Sequence, residues 1–572
     1  MAFQVSPGIN VTEQDLTTVV PNVATTIGGM SGGFQWGPVL ERTQISTEND
    51  LVDIFGKPNA DTYEWFWTAA NYLAYANNLW VVRNVGASAR NAVVGDADAG
   101  TAIAVNNKTA YDSITFSDQA FVAKYPGVLG NSLKVQAIDS NGWGDSTINA
   151  DFLANFDRAP GTSTDVGNAG GAEDEMHILV VDEDGLWTGT PGYVLEKHAF
   201  VSKASDAKRI DGSSNYFVEV MRNESKYAYA GLPGKFTENS TGAGANAGVA
   251  KAGTTFQTFN SATAAEAIIG GSMTLGVSND VQTPALLQAG FALYLTPEVV
   301  DVTLLLGGAS DTATGEYIIN SIAAVRKDCM AFVSPLKASV VNNSGGEVAA
   351  LTTDNTALGS SSYAVMDSAW KYQYDRYRDL FMYVPMNGDI TGLCARTDYT
   401  HDTWWSPAGL NRGTIKNIVK LSWEATKANR DTMYPISINP IITQTGAGVV
   451  LWGDKTMQTV PSAFDRINVR RLFIVLEKAI SIAAKAMLFE FNDEFTRAQF
   501  TNMVAPFLRE VQGRRGITDF KVVCDSSNNT GQVIDTNNFV GDIFIKPARS
   551  INYIQLNFIA ARTDVSFSEI GG

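Results

Sequence analysis

The stretch GVVLWGDKT at residues 448–456 comes close to a phosphate-binding loop. In that loop four residues separate two glycines, the second glycine is followed directly by Lys and then by Ser or Thr, and backbone N–H groups surround the phosphates. Here Asp454 intervenes between Gly453 and Lys455, and it would place a carboxylate where the phosphates lie. Residues 449–452 also favour an extended backbone. We therefore interpret the stretch as the second strand of a hairpin, with INPIIT as the first strand and QTGAG as the turn.

Other side chains able to act as nucleophiles, bases or metal ligands are few and scattered. The chain contains three histidines and three cysteines: His177, His198, His401, Cys329, Cys394 and Cys524. Their spacing matches no metal-binding pattern, and no nucleophile signature surrounds Cys394 and His401. We predict neither a catalytic site nor a metal or other cofactor.

An acidic run at residues 173–185 is the remaining candidate for a metal site. Asp182, Glu183 and Asp184 could bind Ca²⁺, but the run lacks the alternating ligand spacing of an EF-hand loop. A solvated acidic turn is the favoured interpretation.

Length and composition limit the class of protein. A chain of 572 residues predicts two to four domains, and 45% hydrophobic with 18% charged residues is typical of a globular protein. A net charge of −17 argues against direct binding of nucleic acid. Because no signal peptide and no 18-residue apolar stretch is found, we expect no membrane insertion. The sparse cysteines favour a reducing compartment.

The secondary structure predicted around these residues differs between regions of the chain. Residues 62–78 predict a helix and LWVVRNV a buried strand; residues 283–336 alternate helix, strand, helix and strand, which implies parallel pairing. Residues 91–250 hold 21 acidic and 11 basic residues and read as a β-rich insertion with strands SLKVQAI, MHILVVD and NYFVEVM. Residues 237–255 and 342–362 are low in complexity and predict loops.

The last third of the chain predicts a helix pair followed by strands. Residues 468–490 form the first helix, and Asn492 or Asp493 can cap the second, which ends at Gly513. DIFIKPA and SINYIQLNFIAART then read as strands. Both chain ends are β-prone but have no local hairpin partner.

Several stretches, in order along the chain, resemble the tail sheath proteins of contractile-tailed bacteriophages. The resembling stretches are SPGINVTEQDLTTVVPNVATTIGGMSGGFQWGPV (6–39), FGKP (55–58), YPGVLGNSLKVQA (125–137), GLCARTDYTHDTWWSPAGLNRG (392–413), GAGVVLWGDKT (446–456), NVRRLFIVLEKAI (468–480) and FEFNDEFTRAQF (489–500). Each motif alone is weak, whereas the ordered set is specific. Residues 140–260 match least.

The resemblance implies an α/β (α+β) multidomain fold, with an inner α/β domain built from both chain ends, inserted β-rich outer domains and extended N- and C-terminal arms. The expected divisions are an N-terminal arm (1–22), a middle α/β domain (23–95 plus 191–362), an outer insertion (96–190), an inner tube-facing domain (363–540), and C-terminal strands and arm (541–572).

The resemblance also implies subunit contacts. Residues 3–20 and 551–567 are expected to add strands to sheets in two different neighbours. The residues assigned to this exchange are Val5, Ile9, Val11, Val19, Ile551, Tyr553, Ile554, Leu556 and Phe558. A basic face of the helix pair is expected to meet an acidic tube. Its assigned residues are Arg471, Lys478, Lys485, Arg497 and Arg509, with solvated or internally paired side chains as the open alternative.

The function implied by the resemblance is structural. Subunits would form stacked hexameric rings around a tail tube, meet baseplate and tail terminator proteins, and contract without nucleotide hydrolysis to drive the tube through the host envelope. Such a protein would assemble in the host cytoplasm and belong to the virion. Two alternatives remain open: the sheath of a related contractile secretion system or bacteriocin-like particle, and an enzyme with unrecognised chemistry.

Overall fold

The computed structural model describes residues 23–95, 102–143, 150–236, 246–259 and 268–555. It divides into two compact units. The first, called here the α/β unit, comprises Ala24–His401 and Pro407–Asp465. The second, called the helix–hairpin unit, comprises, among the described residues, Val23, Asp402–Ser406 and residues 466–555.

Strands and helices of the α/β unit alternate along much of the chain. Its strands are β1 Gly28–Gly32, β2 Arg42–Ile45, β3 Leu79–Arg83, β4 Val93–Val94, β5 Phe121–Ala123, β6 Leu133–Asp139, β7 Glu175–Asp182, β8 Tyr193–Ser202, β9 Ala228–Ala230, β10 Ile269–Ser272, β11 Leu304–Leu306, β12 Met330–Val333, β13 Ala364–Asp367, β14 Trp370–Asp375, β15 Leu380–Pro385, β16 Lys420–Leu421, β17 Ile438–Asn439, β18 Ile441–Gln444 and β19 Gly448–Leu451. Its longer helices are α1 Glu48–Phe55, α2 Tyr63–Leu73, α3 Phe217–Asn223, α4 Pro284–Phe291, α5 Glu347–Leu358, α6 Asn387–Thr400 and α7 Lys427–Met433.

A seven-stranded sheet forms the centre of the α/β unit, in the order β17-β13-β12-β11-β1-β3-β2. All neighbours pair in parallel except β2 with β3. The pairing of Leu304 with Met330 confirms the parallel arrangement predicted for residues 283–336. Helix α2 lies close to β1, where a Cβ at Gly32 would come within 2.6 Å of the Trp65 ring. A side chain at that position would force the helix away from the sheet.

The insertion builds its own antiparallel sheets. Strands β10, β6, β7 and β8 form one sheet, and β4, β5 and β9 form another. Strands predicted for SLKVQAI and MHILVVD are confirmed as β6 and β7. The strand predicted for NYFVEVM is wrong, because this stretch forms helix α3. Phe217, Val220 and Met221 are its buried residues, and their spacing of three and four is helical.

Pairing of distant strands also corrects the predicted divisions. Strands β8 and β10 complete the sheet of β6 and β7, so the insertion does not end at residue 190. Strands β13 and β17, assigned to an inner domain beginning at residue 363, extend the seven-stranded sheet. The loop predicted at 342–362 is wrong over α5, whose Leu351 and Leu358 are buried. This strand pairing could not be predicted from composition, because it joins residues that are far apart in the chain.

The helix–hairpin unit contains α8 Ile467–Ala484, α9 Glu494–Gly513, β20 Ile517–Val523 and β21 Asp542–Pro547. Leu472 and Leu476 of α8 pack with Val504 and Leu508 of α9 in one core. Asp493 caps α9, since its Oδ1 accepts a hydrogen bond from the Thr496 N–H at 2.8 Å. Both predicted helices are found, the first only as far as Ala484, and the cap and the end at Gly513 of the second are confirmed. In the described part of the chain, no helix is long and apolar enough to cross a membrane.

Candidate subunit interface

The stretch that resembles a phosphate loop is a hairpin. Strand β18 pairs antiparallel with β19, and Gly446 and Gly448 adopt positive φ angles of 83° and 80° around the turn. Lys455 Nζ donates to the Tyr434 carbonyl oxygen at 2.8 Å and lies over the Tyr434 ring. The lysine is thus held by its own chain. Trp452, which follows β19 directly, is exposed.

The other candidate reactive groups are held by ordinary packing. His177 is buried, stacks on Phe156 at 4.2 Å between ring centroids, and has Nε2 2.9 Å from the Arg158 carbonyl oxygen. Burial lowers the pKa of His177 and favours the neutral ring. All three cysteines are buried. Among the described residues, no three His, Cys, Asp or Glu side chains are grouped closely enough to hold a metal ion.

Asp182, the candidate Ca²⁺ ligand, has its oxygens occupied. It accepts hydrogen bonds from Ser132 Oγ at 2.7 Å and from the Thr188 N–H and Oγ1 at 2.8 and 3.0 Å. Burial alone would raise the pKa of Asp182, but these hydrogen bonds outweigh it and lower the pKa. The carboxylate fixes the turn after β7, and the interpretation of a solvated acidic turn is wrong for Asp182, which is buried.

The surface that stands out is the hairpin of the helix–hairpin unit. Within the described residues, β20 and β21 pair only with each other, so the sheet has two strands and two open edges. Phe520, Val522, Ile543 and Ile545 pack on the helix core, whereas Phe544 is 60% exposed. A two-stranded sheet is marginally stable alone, and an open edge is a template for another strand.

Residues 551–555, the last described residues of the chain, are exposed and include three large apolar side chains. Ile551, Tyr553 and Ile554 are about four-fifths exposed, at 81%, 81% and 77%. The strand predicted for SINYIQLNFIAART is absent from its described part, residues 550–555, where no regular secondary structure is found. The other residues assigned to strand exchange lie outside the described residues: Val5, Ile9, Val11, Val19, Leu556 and Phe558.

The residues assigned to a tube-facing basic set differ widely in exposure. Arg471 is only 3% exposed, Lys478 is half-buried, and Lys485 is exposed. Arg497 donates from Nε to Asn492 Oδ1 at 2.8 Å, and Arg509 is exposed. Arg471 therefore presents almost no surface to a partner, and the assignment of the set to the tube stays a prediction. A spacing of seven keeps side chains on one side of a helix, but the first turns of α8 are buried all round.

The helix predicted over residues 468–490 is wrong beyond Ala484, where a connection between α8 and α9 begins. Helix α8 ends at Ala484, a 3₁₀ turn covers Lys485–Met487, and residues 488–493 lead into α9. Four large apolar side chains are exposed here: Leu488, Phe489, Phe491 and Phe495. The available signal was LFEFNDEF itself, in which apolar residues follow no helical period.

Comparisons with known proteins agree with this architecture. Residues 25–83 match the model of the tail sheath protein Gp18 domain III N-terminal region, residues 297–457 the phage tail sheath protein central domain, and residues 459–561 the phage tail sheath C-terminal domain. Crystal structures of sheath tail proteins from Desulfitobacterium hafniense and Listeria innocua share the fold. Each gives a TM-score of 0.52, at 13% and 12% identity, covering 91% and 92% of this chain and 94% and 96% of those chains.

Full-length relatives are more similar in sequence. The tail sheath protein of Vibrio phage KVP40 is 34% identical, with 99% of each chain covered. That of Enterobacteria phage T4 is also 34% identical, again over 99% of each chain. Identity at this level over the whole length shows the family, and the chain therefore belongs to the phage tail sheath proteins, the structural subunits of contractile tails.

Proposed function

We propose that this chain polymerises as stacked hexameric rings around a tail tube and contracts to drive that tube through the host envelope for genome delivery. Its partners would be other copies of itself, the tube protein, and the baseplate and tail terminator proteins. Assembly would take place in the host cytoplasm, before release as part of the virion. The chain would act without catalysis, drawing on contacts between subunits that change when two packings of the sheath interconvert.

The observation that supports this proposal most directly is the incomplete hairpin sheet. Strands β20 and β21 present open edges within the described residues, and the exposed segment that follows carries Ile551, Tyr553 and Ile554. A strand taken from a neighbour would pair an open edge and cover these side chains at once. A head-to-tail contact of this kind generates rings or helices rather than closed dimers.

Strand exchange would join each subunit to two neighbours. Residues 551–567 would add to a sheet in one neighbour, and residues 3–20 to a sheet in another. Subunits joined in this way stay linked while they rotate and slide, because backbone hydrogen bonds tolerate changes outside the paired strands. The arms thus give the sheath continuity during contraction.

The test is removal of either arm from the full chain. Deletion of residues 1–20, or of residues 549–572, should leave a folded monomer by circular dichroism and sedimentation but no tubes by negative-stain microscopy. As a matched control, Ile210→Ser changes a fully exposed apolar residue of the α/β unit and should leave tubes intact. Tubes formed by both truncated chains would overturn the proposal.

Tube contact is proposed for the exposed members of the basic set. Lys485 and Arg509 are exposed and able to reach an acidic partner, whereas Arg471 is buried and is withdrawn from the set. Lys478 and Arg497, both half-buried, would contribute less. Reversal in Lys485→Glu/Arg509→Glu should leave sheath self-assembly intact and abolish co-assembly on purified tubes. Lys427→Glu, with a side chain that is 83% exposed in the α/β unit, is the control.

A further inference from the structure

The three-stranded sheet of β15, β14 and β16 has one buried face and one face towards the surface of the α/β unit. Along β14, Lys371, Gln373 and Asp375 are buried, whereas the alternate residues are half-buried or exposed. Because side chains alternate between the two faces of a strand, the outer face collects the aromatic residues. This surface, called here the aromatic face, consists of Tyr372, Tyr374, Phe381 and Tyr383, with Lys420 of β16 beside them.

Cross-strand contacts hold these rings together. Tyr372 of β14 lies opposite Tyr383 of β15, and Tyr374 lies opposite Phe381, with ring centroids 4.8 and 5.2 Å apart. Tyr374 is 45% exposed and Phe381 48% exposed. Contiguous apolar surface of this kind marks a contact with another molecule, and aromatic residues are enriched in such contacts.

The aromatic face carries a positive charge. Lys420 is exposed, and its Nζ lies 4.9 Å from the centroid of the Tyr372 ring. Residues 411–430, which include β16, contain five basic residues and one acidic residue. Asp379 is the acidic neighbour at the rim, where its Oδ1 accepts a hydrogen bond from the Tyr374 hydroxyl at 2.6 Å. A partner with apolar side chains and a carboxylate placed over Lys420 fits this surface.

The loop that joins β7 to β8 has the complementary chemistry. Residues 183–193, EDGLWTGTPGY, include two acidic residues and no basic one. Asp184 and Pro191 are exposed, and Leu186 and Tyr193 are each 55% exposed. These apolar side chains can pack on tyrosine and phenylalanine rings, while the carboxylate is attracted to a lysine. Both surfaces belong to the same chain.

The β7–β8 loop is held in one conformation. The Asp182 carboxylate accepts hydrogen bonds from the Trp187 and Thr188 N–H groups at 3.0 and 2.8 Å. The Trp187 ring meets the Trp36 ring edge-on, with centroids 4.9 Å apart, and Lys57 Nζ donates to the Trp187 carbonyl oxygen at 3.3 Å. A loop that is already ordered loses little conformational entropy when it binds.

We infer that the aromatic face receives the β7–β8 loop of a second copy of this chain. The inference rests on the proposed polymerisation but on neither arm. Both surfaces are exposed within one chain, so they do not cover each other there, and a contact between them joins two different patches of two copies. Such a head-to-tail contact repeats along a ring or a helix.

This contact would differ from strand exchange in its effect on contraction. Arms that exchange strands allow subunits to rotate while they stay linked. Two fixed surfaces, in contrast, meet in one relative orientation only. Docking of the β7–β8 loop would therefore stabilise one of the two packings of the sheath over the other.

The contact predicts a disulfide between two different copies. Tyr374→Cys and Leu186→Cys are prepared separately, mixed, assembled and oxidised, and a dimer containing one copy of each is expected by non-reducing electrophoresis and mass spectrometry. Tyr374→Cys mixed with Ile210→Cys is the matched control, since Ile210 is fully exposed in another loop of the α/β unit. The native cysteines are buried, and the unmodified chain should give no dimer. A dimer formed equally well with Ile210→Cys would overturn the inference.

Charge reversal tests the same contact without cysteines. Lys420→Glu and Asp184→Lys should each raise the protein concentration needed for tube formation by about threefold to tenfold, because like charges then meet. The combined variant should recover most of the loss. Lys420→Glu combined with Asp211→Lys, which changes an exposed acid of another loop, should recover none. Equal recovery in both combinations would show an effect of net charge and would contradict the proposed contact.

The experiments separate this inference from the proposed polymerisation. If the full chain forms tubes but Tyr374→Cys and Leu186→Cys give no specific dimer, the contact is wrong and polymerisation stands. If added tube protein, rather than a second copy, protects Tyr374→Cys from alkylation, the occupant of the aromatic face is wrong. A specific dimer without any tubes would support the contact and contradict polymerisation, and the absence of both would show that both are wrong.

Discussion

The central sheet of the α/β unit and the hairpin of the helix–hairpin unit differ in where their strands find neighbours. Strand β11 lies between β1 and β12, and its residues Leu304–Leu306 are all buried. Strands β20 and β21 have, among the described residues, only each other, and Phe544 points to the outside. Five of the seven strands in the central sheet have a neighbour on both sides within the described residues, whereas neither strand of the hairpin does, so the hairpin offers its strands for pairing with strands from elsewhere. A polymerising subunit needs both, because the first keeps its shape while the second makes contacts.

Buried ion pairs are found in the α/β unit, whereas the hairpin carries an exposed one. Three buried ion pairs lie in the α/β unit: Arg83 with Asp280 at 3.3 Å, Lys203 with Asp139 at 2.8 Å and Lys371 with Asp389 at 2.9 Å. The hairpin instead carries Lys546 with Asp519 at 3.0 Å, both well exposed. A buried pair fixes the conformation around it at a cost in desolvation, whereas an exposed pair leaves its surface available.

Loss of one partner from a buried pair should have the largest effect. Asp389→Ala leaves the Lys371 ammonium inside the α/β unit, with the Lys416 carbonyl oxygen still 3.2 Å away. We expect the free energy of unfolding to fall by about 3–5 kcal/mol, and Lys371→Met/Asp389→Leu to recover most of it. Urea titration followed by tryptophan fluorescence, below the concentration of assembly, measures both. A single variant as stable as the unmodified chain would show that this pair does not hold the unit together.

The next largest effect is expected from truncation of an apolar side chain, which distinguishes the roles of the two sheets. Leu305→Ala opens a cavity at the centre of the seven-stranded sheet, where Leu305 is fully buried, and should cost about 2–5 kcal/mol of unfolding free energy. Phe544→Ala removes an exposed side chain and should leave monomer stability unchanged while weakening tube formation. Unfolding experiments should show a loss of stability only for Leu305→Ala, and negative-stain microscopy at equal folded concentration should show weaker tube formation for Phe544→Ala. Equal losses of stability would remove the distinction drawn between a completed and an open sheet.

Elements that depend on local sequence signals could be predicted, whereas features that depend on distant contacts could not. Helix α9 was predicted with its Asp493 cap because a cap and an apolar stripe are local signals. The burial of Arg471 was not predicted, because it depends on depth along the helix and on chain distant in sequence. The connection at Phe489 was read as helix, since a helical pattern shows where a helix can continue and not where it stops. Strand pairing beyond residue 190 was invisible for the same reason: it joins residues far apart.

Protonation of a buried acid gives a smaller effect per pH unit, because the loss of stability is spread over a range of pH. Burial raises the pKa of Asp367 to about 8, while Ser334 Oγ donates to its Oδ2 at 2.5 Å. The folded state therefore holds a proton that the unfolded chain, with a pKa of about 4, has already released. This contribution is complete below pH 4 and is lost as pH rises towards 8. The loss is at most about 1.4 kcal/mol per pH unit.

The substitution Asp367→Asn, which cannot ionise, should remove that slope. The difference between its stability curve and that of the unmodified chain isolates Asp367 from neighbouring groups, including Asp389, whose pKa burial also raises. Unfolding free energies at pH 5, 6, 7 and 8 give the comparison. Parallel curves for the two proteins would show that Asp367 does not titrate in this range.

The smallest effect is expected at the exposed pair of the hairpin. Lys546 and Asp519 lie opposite each other on β21 and β20, and both side chains remain largely in water, where screening and side-chain entropy cancel most of the attraction. Lys546→Ala should therefore leave monomer unfolding unchanged, in contrast to Asp389→Ala. If it weakens tube formation all the same, the pair acts on the incoming strand and not on its own hairpin, because a monomer and a tube differ only in the contacts between copies. If it destabilises the monomer, the hairpin is already a finished element, and the contrast between the two sheets lies in their edges alone.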